Sequence, residues 1–165
     1  MPRASRAMAW LQDRPRLLEW AYRACYRLVV WAKPALLVAG PERADRILAP
    51  LEELPKKAIF DCRMCGQCVL HSTGMTCPMT CPKNLRNGPC GGVRANGNCE
   101  VIPEMPCVWV KAWERSRLMP TYGQEILLLQ PPVNRRLEGT SAWINLLTGV
   151  DRNVPADWPP APRAG

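Results

Sequence analysis

Eight of the nine cysteines of this chain lie within one short segment, and the segment opens with three of them at every third position. They are Cys62, Cys65, Cys68, Cys77, Cys81, Cys90, Cys99 and Cys107. The triplet spacing lets one backbone loop present three thiolates to a cubane cluster, while a distant cysteine, often one followed by proline, supplies the fourth. Because the segment has almost no long aliphatic run, it is predicted to fold around bound metal, whose binding supplies folding energy.

The kind and number of metal groups stay open at this level. Eight thiolates suffice for two 4Fe–4S clusters, and the triplet favours at least one. Four cysteines are also a common ligand set for structural Zn²⁺, so zinc could replace one cluster or occupy both sites. The spacing does not decide which cysteine completes the set of the triplet.

A disulfide-bonded secreted protein is the other fold that many cysteines can indicate, and the rest of the sequence argues against it. The apolar stretch 28–39 is interrupted by Lys33 and Pro34 and lacks a small-residue cleavage site, so no signal peptide is predicted. The stretch is also too short for a membrane span. Thiols stay reduced in the cytosol, and we therefore expect a cytoplasmic metalloprotein without a membrane span.

The net charge of +8 would suit a nucleic-acid partner, but no run of basic residues concentrates it. No nucleic-acid partner is predicted for that reason. The competing class is a zinc-stabilised structural or interaction module, either a partner clamp or a nucleic-acid binder. The sequence shows no Ser-His-Asp set, acid–base carboxylate pair or dinucleotide-binding fingerprint, so the chain is not predicted to be a catalyst alone.

The segments on either side of the cysteines predict helices, which gives a small, loop-rich, metal-stabilised α domain. We expect an N-terminal amphipathic helical region over 1–57, a cysteine-rich metal module over 58–120 and a partner-contacting extension over 121–165 with an extended proline-rich tail. A helix over 15–33 has an apolar face that packs on the chain's own core or on a partner, formed by Leu17, Ala21, Ala24, Leu28 and Trp31. A second helix is predicted from Pro41, with an interruption at Pro50.

Six smaller predictions concern single segments or residues. Val108–Met119 is predicted to be a helix, residues 125–130 a short strand or a helical turn, and 141–147 a short apolar segment. An ordinary apolar core is possible within 15–55. Cys25 is predicted to be a buried helical thiol outside the ligand set. His71 is predicted to hydrogen-bond loop backbone in preference to binding metal.

The cysteine segment also carries a long and unusual motif. It consists of FDCRMCGQC (60–68), GMTCPMTCPKNLRNGPCGG (74–92), NCE (98–100) and CVW (107–109). These motifs resemble the methylene-tetrahydrofolate reductase C-terminal domain family, closely over residues 55–120. The resemblance is looser over GTSAWIN (139–145) and the N-terminal helices. All eight clustered cysteines match positions of the family's motif.

The resemblance implies a cysteine-rich iron–sulfur or zinc module that works beside a flavin-containing reductase barrel. That partner interconverts 5,10-methylene- and 5-methyl-tetrahydrofolate, so flavin and folate would be bound by the partner in one-carbon metabolism. The module would carry electrons to or from the partner's flavin, with the eight cysteines as metal ligands. A barrel of eight βα units needs about 250 residues, so this chain is expected to be the stand-alone subunit of the oxidoreductase complex.

Overall fold

The computed structural model describes residues 10–153, so most of the predicted proline-rich tail lies outside the described residues. Two long helices come first, α1 (Pro15–Ala39) and α2 (Pro41–Phe60). Each begins with a proline, which is favourable because the first N–H groups of a helix have no partner within it. Gly40 alone connects them with φ +93°, a value that side chains rarely allow. The two helices therefore form a tight hairpin ahead of the cysteines.

Both helices run past internal prolines, one of which was predicted to interrupt the second helix. α1 continues through Pro34 to Ala39, and α2 passes Pro50 and Pro55 without a break. A proline inside a helix removes one hydrogen bond and crowds the preceding turn. All three prolines are exposed, so water can reach the carbonyl groups that lose their partners. The predicted interruption at Pro50 is therefore wrong, and the first helix extends beyond the predicted 15–33 to Ala39, next to Gly40 and Pro41.

The rest of the described chain contains two short α-helices, α3 (Val108–Ser116) and α4 (Ala142–Thr148). α3 ends at Ser116, earlier than the predicted Met119. Single 3₁₀ turns lie at His71–Thr73, Pro78–Thr80, Gly123–Leu127, Arg135–Leu137 and Val150–Arg152. The turn at Gly123–Leu127 confirms the helical alternative for the segment after residue 125. Residues 10–153 contain no β-strand, and one isolated antiparallel bridge pairs Asn98 with Pro106.

The apolar core lies mainly beside the cysteine segment. The sequence had indicated that a core was possible within residues 15–55, and the core lies mainly outside that range. Its buried centre consists of Leu18, Leu70, Met75 and Met119. Cys68 and Cys77 pack against this centre, together with Phe60 from the end of α2. In the predicted region only Leu18 and Ala44 are buried hydrophobic residues. Burial of apolar side chains therefore supports the same part of the chain that carries the candidate ligands.

Buried polar side chains tie the C-terminal segments to the helical hairpin. Glu19 is 2% exposed and accepts hydrogen bonds from the backbone N–H groups of Thr121 (2.9 Å) and Tyr122 (2.7 Å). The Ser141 hydroxyl donates to Glu52 over 2.6 Å, close to the first turn of α4. Hydrogen bonds to charged acceptors are worth about 1.5–3 kcal/mol each, so these contacts fix the C-terminal segments firmly.

The predicted apolar face of α1 is largely uncovered. Leu17, Leu28 and Trp31 are 45%, 63% and 78% exposed, so the prediction that this face packs on the chain's own core is wrong for these residues. Cys25 is also exposed, and the prediction of a buried thiol there is wrong. The face of α1 that packs inward carries Leu18 and Glu19. Among the described helices, none is long and apolar enough to cross a bilayer.

Candidate metal centre

The loop that follows α2 turns through three left-handed backbone positions, which bring its cysteines together. Asp61 (φ +50°) caps α2, and Met64 (φ +46°) and Gly66 (φ +72°) follow at short intervals. A β-carbon at Gly66 would lie 2.1 Å from the carbonyl oxygen of Leu137, so only glycine fits this approach. The backbone N–H of Met64 donates to Sγ of Cys62 over 3.4 Å. The conformation of the triplet loop therefore depends on left-handed backbone positions within it and on its contact with the distant residue Leu137.

The eight clustered cysteines divide between two cavities. The first cavity is lined by the triplet and one further cysteine, so that its four thiols are Cys62, Cys65, Cys68 and Cys77. The second is lined by Cys81, Cys90, Cys99 and Cys107. Of the pairings that the sequence left open, the structure thus associates Cys77 with the triplet. Both cavities have the four-thiol composition that was expected for a metal centre.

The second cavity is held by turns between residues 94 and 107. The backbone N–H of Cys99 donates to the carbonyl of Met105 over 2.8 Å, and that of Cys107 donates to Gly97 over 3.0 Å. Cys99 is buried, whereas Cys90 is exposed and accepts a hydrogen bond from the N–H of Gly92 over 3.3 Å. The second cavity therefore combines one buried and one exposed cysteine, whereas all four cysteines of the first are partly exposed.

The two cavities also differ in the charged groups that line them. Lys56, Glu52 and Arg86 line the first. Lys83 and Glu100 line the second, where they form an ion pair with each other. The thiol of Cys90 lies 3.5 Å from Oε1 of Glu100. The first cavity therefore has an excess of positive charge, and the second does not.

The donor set of each cavity fits a cubane cluster or a four-cysteine zinc ion, since both groups take four thiolates. All nine cysteines are free thiols. Within residues 10–153, no three His, Cys, Asp or Glu side chains lie close enough together to coordinate one metal ion. The structure therefore places four cysteines around each of two cavities. The assignment of all eight as metal ligands stays a prediction.

Burial opposes the ionisation of three thiols of the first cavity. Desolvation raises the pKa of Cys62 to about 11 and that of Cys77 to about 12, and it also raises the pKa of Cys65. Burial acts to lower the pKa of Lys56, but negative charge at Cys68 and Glu52 outweighs it and the pKa is raised. A lysine that stays charged beside four thiols favours an anionic group between them.

Arg86 and Gln67 are two buried residues of this site that sequence reasoning missed. Arg86 is 4% exposed and donates to the carbonyls of Gln67 (2.9 Å) and Pro131 (2.6 Å). The side chain of Gln67 donates to the carbonyl of Asp151 and accepts from the N–H of Asn134, both over 2.7 Å. The only sequence signal was that both residues lie within the cysteine motifs. Their partners are too distant in sequence for spacing to reveal them.

His71 lies outside both cavities, in a cluster of aromatic rings. Its Nδ1 lies 3.2 Å from the hydroxyl of Tyr22, and Nε2 lies 3.3 Å from Oε2 of Glu125. Its ring stacks on Tyr22. Burial lowers the pKa of His71 to about 4, with smaller contributions from Arg152 and Arg86. The prediction that His71 bonds to loop backbone is wrong, because its partners are these two side chains.

Comparison with known proteins gives one family. The family model described as methylene-tetrahydrofolate reductase C terminal matches residues 42–136, which is more than half of the chain. The match includes α2, all eight clustered cysteines and α3, and it leaves out α1 and the segment 139–145. No curated protein and no solved structure was found to match. Because the family model covers more than half of the chain and all eight clustered cysteines, the chain belongs to the methylene-tetrahydrofolate reductase C-terminal domain family.

Proposed function

We propose that this chain is an iron–sulfur subunit that exchanges electrons with the flavin of a methylene-tetrahydrofolate reductase partner. Family membership links the chain to that reductase. The observation that carries the electron-transfer role is the division of eight cysteines into two cavities of four thiols each. Two such sets are what two 4Fe–4S clusters require.

Iron–sulfur clusters supply one-electron chemistry over about −700 to +450 mV, a range that suits exchange with a flavin. The chain's own residues would hold and tune such groups. Four thiols per cavity provide the ligands, and the N–H groups of Met64 and Gly92 already donate to cysteine sulfur. Hydrogen bonds to sulfur are among the factors that set the reduction potential. The buried surroundings of the first cavity limit the access of water to its thiols.

Association with the reductase is supported by a broad apolar surface on the helical hairpin. Its exposed residues on α1 and α2 are Leu28, Trp31, Val38, Ile47, Leu51 and Leu54. Large contiguous apolar patches on a protein surface commonly mark an interface. We propose that the flavin-containing barrel subunit covers this hairpin surface. Changing Trp31 and Leu54 to Glu should abolish co-purification of that subunit, whereas Glu at the exposed position Arg117 should leave it intact.

The experiment that tests the iron–sulfur assignment is metal and acid-labile sulfide analysis of anaerobically purified protein. Wild-type protein should be brown and contain iron and sulfide. Cys65→Ser should lose about half of the iron, because it removes a ligand of one of two clusters. Cys25→Ser is the matched control and should lose none, since Cys25 lies on the exposed side of α1. Full iron retention in Cys65→Ser would contradict the assignment of that ligand.

Electron transfer itself is tested by stopped-flow spectroscopy with a low-potential donor. In the complex, cluster absorbance should bleach first and flavin reduction should follow. Flavin in the isolated barrel subunit should respond more slowly to the same donor. Equal rates of flavin reduction with and without this chain would leave the chain a structural role only.

A zinc-stabilised clamp is the second candidate, and the position of the second cavity favours it there. Cys90 is exposed, and the carboxylate of Glu100 lies at the same cavity. Structural zinc sites take four cysteines and have no redox chemistry. Colourless protein with zinc and no sulfide would establish the clamp. Zinc in the second cavity beside one cluster in the first would keep electron transfer possible through the first alone.

A further inference from the structure

Arg86 has a buried donor without a partner at the first four-thiol cavity. Two of its guanidinium nitrogens donate to the carbonyls of Pro131 and Gln67. Its Nε–H is buried and has no hydrogen-bond partner among residues 10–153. An unsatisfied buried N–H is costly, so such a group in a native protein needs an explanation, of which a redox role or a bound ion is one. Because Arg86 lines the first cavity, the acceptor can be a group bound between the thiols.

The charge of Arg86 points to an anionic acceptor. A guanidinium stays protonated in proteins, and this one is only 4% exposed. Lys56 lines the same cavity, and within the described residues 10–153 its carboxylate partner is Glu52. A 4Fe–4S core of charge +2 with four thiolates carries a net charge of about −2, which needs compensation when it is buried. At the second cavity the cation Lys83 is exposed and already paired with Glu100.

We infer that Arg86, with Lys56, stabilises the reduced form of the cluster held by the first four cysteines, so that this cluster accepts electrons before the one in the second cavity. The inference rests on the proposed function and assigns the two cavities different roles. Reduction adds negative charge, and a buried cation in a medium of low dielectric favours the more negative form. Arg86 is thus a tuning residue, and it is not one of the ligands.

The competing explanation is that Arg86 serves only to neutralise Asp151. Oδ1 of Asp151 is also buried and has no hydrogen-bond partner in the described part of the chain, and Arg86 is among the charges that act on its pKa. A double variant separates the two explanations. If Arg86 only neutralises Asp151, removal of both charges restores wild-type behaviour. If Arg86 acts on the cluster, the double variant keeps most of the defect of Arg86→Gln.

The test is an anaerobic redox titration of the purified chain, followed by electron paramagnetic resonance. The signal of the first cluster is the one lost in Cys65→Ser. The comparison is made at the potential where half of the first cluster is reduced in the wild type. At that potential, Arg86→Gln should lower the ratio of reduced to oxidised first cluster at least tenfold, which corresponds to a reduction potential lower by about 59 mV for one electron. Arg86→Lys keeps the charge and should stay within threefold of the wild type. The matched control Lys83→Gln should leave the first cluster unchanged.

Several outcomes would overturn the inference. One is a ratio within twofold of the wild type in an Arg86→Gln protein with full iron content. Another is a wild-type ratio in the double variant Arg86→Gln, Asp151→Asn. If Arg86→Gln does not assemble its cluster, the same titration is carried out with Lys56→Gln. An unchanged ratio of reduced to oxidised first cluster in Lys56→Gln would also contradict the inference. Wild-type protein without acid-labile sulfide would instead refute the proposed function, and the inference would fall with it.

Discussion

Replacement of Gln67 by Ala should loosen the triplet loop without touching a cysteine. Gln67 is 1% exposed and connects the loop to two segments that are distant in sequence, through the N–H of Asn134 and the carbonyl of Asp151. Loss of a hydrogen-bond partner costs about 1–3 kcal/mol when the group left behind is buried. Asn134 and Asp151 are both half-buried, so water can partly replace the amide. We therefore expect the two losses together to cost about 2–3 kcal/mol.

The measurement is anaerobic urea unfolding of the purified protein, followed by circular dichroism. Gln124→Ala is the matched control, because Gln124 is exposed and lies in a neighbouring turn. It should change the free energy of unfolding by less than about 0.5 kcal/mol. Gln67→Ala should also lose iron to a chelator faster than the control does. If the two variants unfold at the same urea concentration, the hydrogen bonds of Gln67 do not organise the site.

Three further predictions follow from the same structure. Because the pKa of His71 is lowered from 6.5 to about 4, its neutral form contributes stability that is present above pH 6.5 and lost as the pH falls through 4. Wild-type protein should lose on the order of 3 kcal/mol more than His71→Gln across this window, and parallel pH curves would contradict this. Gly66→Ala should prevent loading of the first cavity, since its β-carbon would lie 2.1 Å from backbone. Gly149→Ala has open space and a similar φ, so it should cost only about 1–2 kcal/mol, and equal metal content in both variants would refute the steric argument. Because burial raises the pKa of Cys62 to about 11 and that of Cys77 to about 12, Zn²⁺ added to reduced metal-free protein at pH 7 should release protons. An indicator dye should record this release, and affinity should weaken as the pH is lowered; a titration without proton release would contradict protonation of these thiols in the metal-free protein at pH 7.

Proline shows where local reasoning about helices was insufficient. The sequence predicts an interruption of the second helix at Pro50, because an isolated helix loses stability at an internal proline. The structure continues both helices, since the prolines face solvent and the inward face of the hairpin still packs. Tertiary contact thus outweighed a local penalty of about 3 kcal/mol. Periodicity was sufficient to predict that these segments are helical, but it did not predict the lengths of the helices.

The exposed face of α1 shows a second limit. Periodicity identified Leu17, Leu28 and Trp31 as one apolar stripe, but it cannot say what the stripe contacts. The structure packs a neighbouring stripe with Leu18 and Glu19 inward and leaves the predicted one open. Both stripes are long enough for contact. Contacts with distant segments decide between them, among them the core around Leu18 and the N–H groups of Thr121 and Tyr122 that donate to Glu19.

The sequence by itself determined the candidate ligands and the family, because the spacing of cysteines, glycines and prolines in the motif is a local property of the chain. Tertiary structure decided how those cysteines divide, since Cys77 and the triplet meet only when the loop packs on the core. It also decided that Arg86 and Lys56 line one cavity, although they lie 30 positions apart in the numbering. Charge at a buried site is set by whichever residues the fold brings there, and contacts between distant segments leave no mark in local spacing.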